Sequence, residues 1–198
     1  MSGEASGRAR KPGLLINTAF TALFAALTAA GAFIAIPIGP IPIVLQNLFA
    51  LLSGLVLGPI AGSASVGIYL LAGILGLPVF AGGTGGIARF AGPTGGFLIG
   101  YLLAAFTAGI IAGSPERRGR GNKDASLFRI IAAVIAGLFV VYVPGVIWLK
   151  ASGNLGWTRA VLAGFVPFIA GDVFKGIAAA LIAPRLRRIA GDFLDGTD

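Results

Sequence analysis

The sequence predicts an all-α integral membrane protein with six transmembrane helices and both termini in the cytoplasm. Three observations lead to this prediction. The 198-residue chain is 57% hydrophobic and only 11% charged, whereas a soluble domain carries about 25% charged residues. Apolar stretches long enough to cross roughly 30 Å of hydrocarbon recur along the chain. The basic residues lie at the ends of these stretches, which is typical of membrane topology and argues against nucleic acid as a partner, despite the net charge of +8.

Six apolar segments are predicted to span the bilayer: 14–36, 43–57, 60–77, 95–112, 127–149 and 167–184. Three prolines between residues 36 and 42 force an extended path after the first segment, and Gly58-Pro59 predicts a tight turn after the second. The membrane domain is therefore placed at 14–188, between a flexible cytoplasmic tail at 1–13 and a cytoplasmic tail at 189–198. The first segment exceeds the about 7–15 residues of a signal-peptide core, so we interpret it as a membrane span.

The orientation follows from the distribution of basic residues. With six spans, both termini and the 113–126 connection share one side of the membrane. Because lysine and arginine accumulate on the cytoplasmic side, that side is predicted to be cytoplasmic, and the glycine-rich loop at 78–96 is predicted to be extracytoplasmic. The basic residues on the first side are Arg8, Arg10, Lys11, Arg117, Arg118, Arg120, Lys123, Arg129, Arg185, Arg187 and Arg188, and those on the second are Arg89, Lys150 and Arg159.

Asp172 and Lys175 are the charged residues inside the last apolar segment. A charge at the centre of a bilayer costs roughly 2.5–3.5 kcal/mol on insertion scales, so such residues usually face the bundle interior and serve a function there. Positions three apart share one face of a helix, so the two groups can meet each other or a common ligand. A helix that starts at Pro167 would place them in its second and third turns. A structural ion pair that orients one helix is the alternative.

The stretch 78–96 is rich in glycine and too apolar for a free linker, so we predict a lid or a re-entrant wall. Neither its GGTGG run nor its GPTGG run carries the lysine that a nucleotide-binding P-loop requires, so no ATP hydrolysis is expected. Arg89 is the only charged residue of the loop, and its planar guanidinium suits a carboxylate. The alternative is an interfacial arginine whose head group reaches toward water.

Two further features carry weaker signals. Gln46 and Asn47 place amides in an apolar segment, where each needs a partner. One of them is a ligand candidate, and the alternative for each is an interhelical hydrogen bond. Small-residue stripes on the first segment allow another helix to approach closely, either from this chain or from a separate membrane subunit. These stripes are Ala22-Ala26-Ala30 and Ala25-Ala29.

The candidate pocket therefore offers one carboxylate, one ammonium, one guanidinium and a few amides in apolar surroundings. This set suits a small, partly apolar ligand that carries an acid group and amide-like donors and acceptors. One carboxylate provides too few hard ligands for a metal ion. The chain has no histidine and no cysteine, and a single carboxylate at membrane depth cannot divide acid and base roles. We therefore expect neither an enzyme nor a bound cofactor.

Three stretches carry a resemblance to a known family: GPIPIVLQNLFALLSGLVLGP at 39–59, GLPVFAGGTGGIARFAGPTGGFLIGY at 76–101 and GNLGWTRAVLAGFVPFIAGDVFK at 153–175. Together they resemble BioY, the biotin-specific substrate-binding subunit of energy-coupling factor transporters. The glycine-rich block followed by G-D-x-x-K, in this order and spacing, is highly specific. The resemblance covers about residues 14–183, and the charged amino-terminal tail lies outside it.

The resemblance implies a six-helix protein of the bacterial cytoplasmic membrane that captures biotin from outside. On the matching positions, Asp172 would accept hydrogen bonds from the ureido N–H groups of biotin, with Lys175 beside the same ring. Arg89 would meet the valerate carboxylate, and the glycine-rich loop would close over the ligand. The further contacts that the resemblance suggests are Gln46, Asn154 and Thr84.

The resemblance also implies partner subunits. The alanine-rich first segment would dock on a transmembrane coupling subunit, and two ATP-binding cassette ATPases would drive transport. An alternative from another class is an ion-coupled secondary carrier that acts alone, with Asp172 as its relay, and it predicts uptake that collapses with the membrane potential. A scaffold protein without a ligand is a third possibility, and it predicts no response to biotin.

Overall fold

The structure is a computed structural model that describes residues 12–37, 41–113, 115 and 125–195. The tail predicted at 1–13 lies outside the described residues except for its last two, and so does most of the basic 113–126 connection. The elements are α1 (Pro12–Phe33), β1 (Ala35–Ile36), β2 (Ile43–Val44), α2 (Gln46–Ile74), α3 (Ile87–Ala91), α4 (Gly95–Ala112), α5 (Leu127–Ser152), α6 (Trp157–Gly164), a 3-10 turn (Val166–Phe168) and α7 (Ile169–Asp195).

Within these described ranges, five helical stretches are long and apolar enough to cross a membrane. One of them, α2, is interrupted at Gly58, which adopts φ 81° and ψ −178°, a conformation open to glycine because it lacks a Cβ atom. A Cβ added to Gly62 would lie 2.6 Å from the Cα of Gly54, although residues eight apart are about 12 Å apart in a continuous helix. The Ser53 hydroxyl also donates to the Gly62 carbonyl at 3.0 Å. The chain therefore turns back at Gly58.

The turn predicted at Gly58-Pro59 thus divides α2 into two helices, α2a (46–57) and α2b (59–74). Counting them separately turns the five long apolar stretches of the described residues into six, so the prediction of a mostly helical membrane protein is confirmed. The centre of the bundle is formed by α2, α4 and α5, while α1 packs against α2, and α7 packs against α2 and α5.

Glycines let the central helices approach to backbone contact. A Cβ on Gly54 would overlap the carbonyl oxygen of Ala105, and one on Gly109 would overlap Pro59. Lipid provides no hydrophobic driving force between helices, so association in a membrane depends on such close van der Waals packing. The helices α2a, α2b and α4 therefore form one tightly packed unit.

We expect Gly54→Ala to lower the stability of the folded protein by roughly 1–3 kcal/mol, the usual range for overpacking a close contact. Gly67→Ala is the matched control on α2b, because its added Cβ would meet only the Leu102 side chain, at an ordinary 3.7 Å. The melting temperature of each variant in detergent is measured by thermal unfolding, with size-exclusion chromatography as the readout. Equal melting temperatures would show that the Gly54 contact does not contribute to stability.

The first helix ends earlier than the sequence predicts. The predicted segment runs to residue 36, whereas α1 ends at Phe33. Residues Ala35 and Ile36 pair instead with Val44 and Ile43 in a short antiparallel ribbon. The residue before a proline is restricted to extended conformations, and Ile36 precedes a proline, which accounts for the difference. The extended path predicted after the first segment is observed in its described residues.

The last helix also differs from the prediction at both ends. Pro167 lies in the 3-10 turn and not in the helix, so Asp172 is in the first turn of α7. The prediction that places it in the second turn is wrong. At the other end, α7 continues through Pro184 to Asp195, so the predicted end before Arg185 is also wrong, and much of the tail predicted at 189–198 is helical.

The two alanine stripes of α1 face different surroundings. Ala22, Ala26 and Ala30 are exposed. Ala25 is buried in the core, and the partly buried Ala29 packs against the same core. Packing within this chain therefore accounts for Ala25 and Ala29, and docking on another subunit stays a prediction for the other three residues. Spacing alone does not separate the two stripes, because both repeat every four residues.

Candidate functional site

The centre of the candidate site is the ion pair of Asp172 and Lys175. Lys175 Nζ lies 3.0 Å from Asp172 Oδ1, and the two side chains are only 11% and 9% exposed. Both residues lie near the amino-terminal end of α7, where their i,i+3 spacing puts them on one face of the helix. The pairing that the sequence spacing allows is therefore present, and it is largely shielded from solvent.

Asp172 joins three helices through its two carboxylate oxygens. Asn47 Nδ2, from α2a, donates to Oδ1 at 2.8 Å, and the Tyr142 hydroxyl, from α5, donates to Oδ2. Lys175 donates to Oδ1 as well. Hydrogen bonds to an ionised acceptor are about twice as strong as neutral ones, so these contacts fix the position of α7 against α2a and α5.

A second buried group lies around Gln46. This side chain is 2% exposed, and its Oε1 accepts a hydrogen bond from the Tyr69 hydroxyl at 3.3 Å. The Tyr69 ring packs edge-on against Phe80, with ring centroids 5.6 Å apart. Phe80 is 1% exposed, and it fills the space where a side chain on Gly73 would otherwise lie. Phe80 therefore anchors the start of the glycine-rich loop to α2b.

The glycine-rich loop is folded along its length. The Gly86 N–H donates to the Gly73 carbonyl at 2.7 Å, just before the short helix α3, which carries Arg89. Beyond α3, the Trp148 indole N–H donates to the Gly92 carbonyl at 2.9 Å. The loop is thus attached to α2b on one side of Arg89 and to α5 on the other, which limits where the guanidinium can lie.

Two small cavities lie side by side between these groups. One is lined by Arg89 and Gln46, and the other by Asp172, Lys175, Asn47 and Tyr142. Each encloses about 20 Å³, close to the volume that one water molecule needs. A larger ligand that reaches both cavities therefore has to move the wall between them. The wall residues that the two cavities share are Ile41, Pro42, Val44, Phe97 and Tyr101.

The predicted site residues thus fall into two groups. Asp172, Lys175, Arg89 and Gln46 line the two adjoining cavities, whereas Asn154 and Thr84 are not among the lining residues. Asn154 is exposed in the turn after α5, with φ 48°, a conformation for which asparagine is favoured. The Thr84 hydroxyl donates to the Ala81 carbonyl at 3.0 Å within the loop. A ligand contact by either residue stays a prediction.

Tyr142 and Tyr101 also line the candidate site, although the sequence analysis does not single them out, and it leaves Asn47 as one of two candidate amides. The chain has three tyrosines, and all three lie in apolar helices that border this site. A buried tyrosine hydroxyl usually has a hydrogen-bond partner. A tyrosine inside an apolar segment is therefore the signal that identifies these positions.

The charge of the site favours an anionic ligand. Asp172 and Lys175 neutralise each other, and the Arg89 guanidinium across the shared wall remains as one positive charge. Within the described parts of the chain, no three histidine, cysteine, aspartate or glutamate side chains lie together as a metal site would require. The arrangement suits a ligand that carries one carboxylate near Arg89 and neutral donors near Asp172.

A bundle of apolar helices that buries an ion pair and amides beneath a folded loop defines a membrane protein with a site for a small polar ligand. The model of the BioY family matches residues 5–192, so the chain belongs to the BioY family. The resemblance found in the three sequence stretches is confirmed.

Curated relatives and a solved structure agree with this assignment. The chain is 43% identical to the probable biotin transporter BioY of Pyrococcus horikoshii, over 86% of this chain and 96% of the relative. It is 41% identical to the biotin transporter BioY of Thermotoga maritima, over 84% and 93%. The crystal structure of an S-component for biotin from an ECF-type ABC transporter matches with a TM-score of 0.77 and 32% identity, over 88% of this chain and 92% of that one.

Proposed function

We propose that this chain captures biotin outside the cell and takes it up as the substrate-binding subunit of an ATP-driven energy-coupling factor transporter. The observation that carries the proposal is the shielded Asp172 carboxylate, held by three donors beside a cavity that adjoins the cavity of Arg89. The names of the relatives, biotin transporter and S-component for biotin, support the identity of the ligand. The protein acts in transport and not in catalysis.

The two ends of biotin match the two cavities. An ionised carboxylate is a pure acceptor, so Asp172 suits the N–H donors of the ureido ring. The Arg89 guanidinium presents a planar pair of donors, which suits the valerate carboxylate. Phe97 and Tyr101 lie in the wall between the cavities and provide apolar surface for the rest of the ligand. Binding moves this wall, because the two cavities are too small to hold biotin as they stand.

In the proposed orientation, both termini face the cytoplasm of a bacterial cell and the glycine-rich loop faces outward. The exposed stripe of Ala22, Ala26 and Ala30 supports docking of α1 on a transmembrane coupling subunit, because small residues permit close helix contact. Two ATPases bound to that subunit would supply the energy for release of biotin into the cytoplasm.

The proposed function is tested by calorimetric titration of the purified protein with biotin, thiamine and riboflavin. Saturable binding of biotin alone is the expected result, because only biotin combines a cyclic urea with a carboxylate. Binding of thiamine or riboflavin in place of biotin, or no binding of any of the three, would refute the proposal.

Arg89→Ala is expected to reduce the discrimination between biotin and a neutral biotin amide. A charge-assisted hydrogen bond is worth roughly 1.5–3 kcal/mol, so biotin should lose about tenfold or more in affinity, while the amide should lose much less. Arg159→Ala serves as the control, because this exposed arginine lies on α6 and does not line either cavity. Equal losses for the two ligands would mean that Arg89 does not recognise the carboxylate.

A further inference from the structure

The orientation of the Asn47 amide is determined by its neighbour. Asn47 is 8% exposed, and its amide lies 2.8 Å from Asp172 Oδ1. An ionised carboxylate can only accept hydrogen bonds, and Lys175 donates to the same oxygen. The amide nitrogen must therefore face Asp172, because the reversed amide would place two oxygens against each other.

This orientation leaves the other end of the amide without a donor. Asn47 Oδ1 is buried, and no donor within the described part of the chain lies at hydrogen-bond distance from it. Gln46, the adjacent amide, differs in this respect because its oxygen accepts from Tyr69. A buried acceptor without a donor is unfavourable and calls for an explanation. Asn47 lines the same cavity as Asp172, so a molecule in that cavity can supply the missing donor.

The hydrogen bonds that the Asp172 carboxylate already accepts also indicate that Asn47 Oδ1 binds the ligand. A carboxylate has about four lone-pair sites. Asn47 and Lys175 use two of them on Oδ1, and Tyr142 uses one on Oδ2. About one site is left for a ligand donor while these three contacts persist. A ligand with two N–H groups on one ring then needs a second acceptor, and Asn47 Oδ1 is the neighbouring one.

We infer that Asn47 is a specificity-determining residue, whose Oδ1 accepts one ureido N–H of the ligand while Asp172 accepts the other. The inference rests on the proposed function and makes it more specific. Asn47 thus has two tasks, because its nitrogen positions the Asp172 carboxylate and its oxygen binds the ligand. The site requires a cyclic urea with both N–H groups intact, and a ring with a single N–H leaves one acceptor unpaired.

The first test uses the wild-type protein alone. Calorimetry compares biotin with two cyclic carbamate analogues, in each of which a ring oxygen replaces one of the two ureido N–H groups. Both analogues are expected to bind at least about tenfold more weakly than biotin, because either replacement leaves a buried acceptor without its donor. If either analogue binds as tightly as biotin, only one N–H is recognised and the inference is overturned.

The second test assigns the effect to Asn47. In Asn47→Ala, biotin affinity is expected to fall about tenfold. One of the two carbamates is then expected to bind this variant as tightly as biotin does. In the control Asn17→Ala, which changes an exposed amide on α1, both carbamates should still bind more weakly than biotin. If Asn47→Ala binds biotin and both carbamates still bind it more weakly, Asn47 does not recognise the ligand. If the wild type does not bind biotin at all, both the proposed function and this inference are refuted.

Discussion

Asp172→Asn is expected to weaken biotin binding by at least about tenfold, because a charged hydrogen bond to the ligand, worth roughly 1.5–3 kcal/mol, is lost. The loss does not come from the ligand contact alone. Asn47, Lys175 and Tyr142 all donate to the carboxylate of Asp172, whereas an asparagine side chain offers one acceptor oxygen and brings two donors of its own. At least one of the three neighbours therefore loses its acceptor.

The same substitution is expected to destabilise the protein. Removing one partner of a buried ion pair costs about 3–5 kcal/mol, since it leaves the other charge buried and uncompensated. Here the remaining charge is the Lys175 ammonium, whose side chain is 11% exposed. The melting temperature in detergent and the biotin affinity by calorimetry measure the two consequences separately.

A double variant separates recognition from stability. Asp172→Leu with Lys175→Met removes both charges, and replacement of a buried pair by apolar residues of similar volume is often neutral for stability. We expect this protein to regain the stability that the single variant loses through the uncompensated Lys175 charge, but not the part lost by Asn47 and Tyr142, whose donors still lack an acceptor. It should remain unable to bind biotin. Asp192→Asn, an exposed carboxylate further along α7 that lines neither cavity, is the control for recognition and should leave the biotin affinity unchanged. Full biotin affinity in the folded double variant would remove the ion pair from the site.

Arg187→Met is expected to destabilise the bundle by at least about 3 kcal/mol, at about 1–3 kcal/mol for each buried acceptor left without a donor. Arg187 is 6% exposed. Its guanidinium donates to the carbonyls of Leu55, Ala112 and Gly113. These carbonyls lie at the carboxyl-terminal ends of α2a and α4, where helices leave acceptors unpaired and favour a cation. Methionine keeps much of the side-chain volume but provides no donor.

This substitution affects the end of the bundle away from the ligand. Arg187 contacts the last residues of α4, whereas Phe97 and Tyr101 of the cavity wall lie near its start, and a helix of 18 residues is about 27 Å long. Biotin affinity of the folded fraction is therefore expected to stay within a factor of about two. The control is Arg185→Met, an exposed arginine on the same helix. Equal melting temperatures of the two variants would show that the Arg187 contacts do not stabilise the fold.

Several features of this molecule could be predicted from residues that lie close together in the sequence. The apolar segments, the reversal at Gly58 and the pairing of Asp172 with Lys175 depend on neighbours within a few residues, so the sequence displays them directly. Helix ends were less predictable. The prolines behaved differently according to context, since Pro167 stands in a 3-10 turn before α7 and Pro184 lies within the helix.

Contacts between distant residues could not be predicted from spacing. Asn47 and Asp172 are 125 residues apart in the chain, and Tyr142 and Asp172 are 30 apart, so only the packing of three helices brings them together. Arg187 illustrates a different difficulty. Counting basic residues for topology treats every arginine alike, whereas this one is buried and bound to carbonyls of two other helices. The packing of α1 likewise distinguishes two alanine stripes that have the same spacing.

The measurement that tests the central claim most directly is a high-resolution map of the purified protein with biotin bound. We predict the ureido ring within about 2.7–3.2 Å of Asp172 and Asn47 Oδ1, which is hydrogen-bond distance, and the valerate carboxylate at Arg89. The wall that the two cavities share should be displaced. Biotin bound elsewhere, with no contact to Asp172, Asn47 or Arg89 and both cavities closed, would contradict the account.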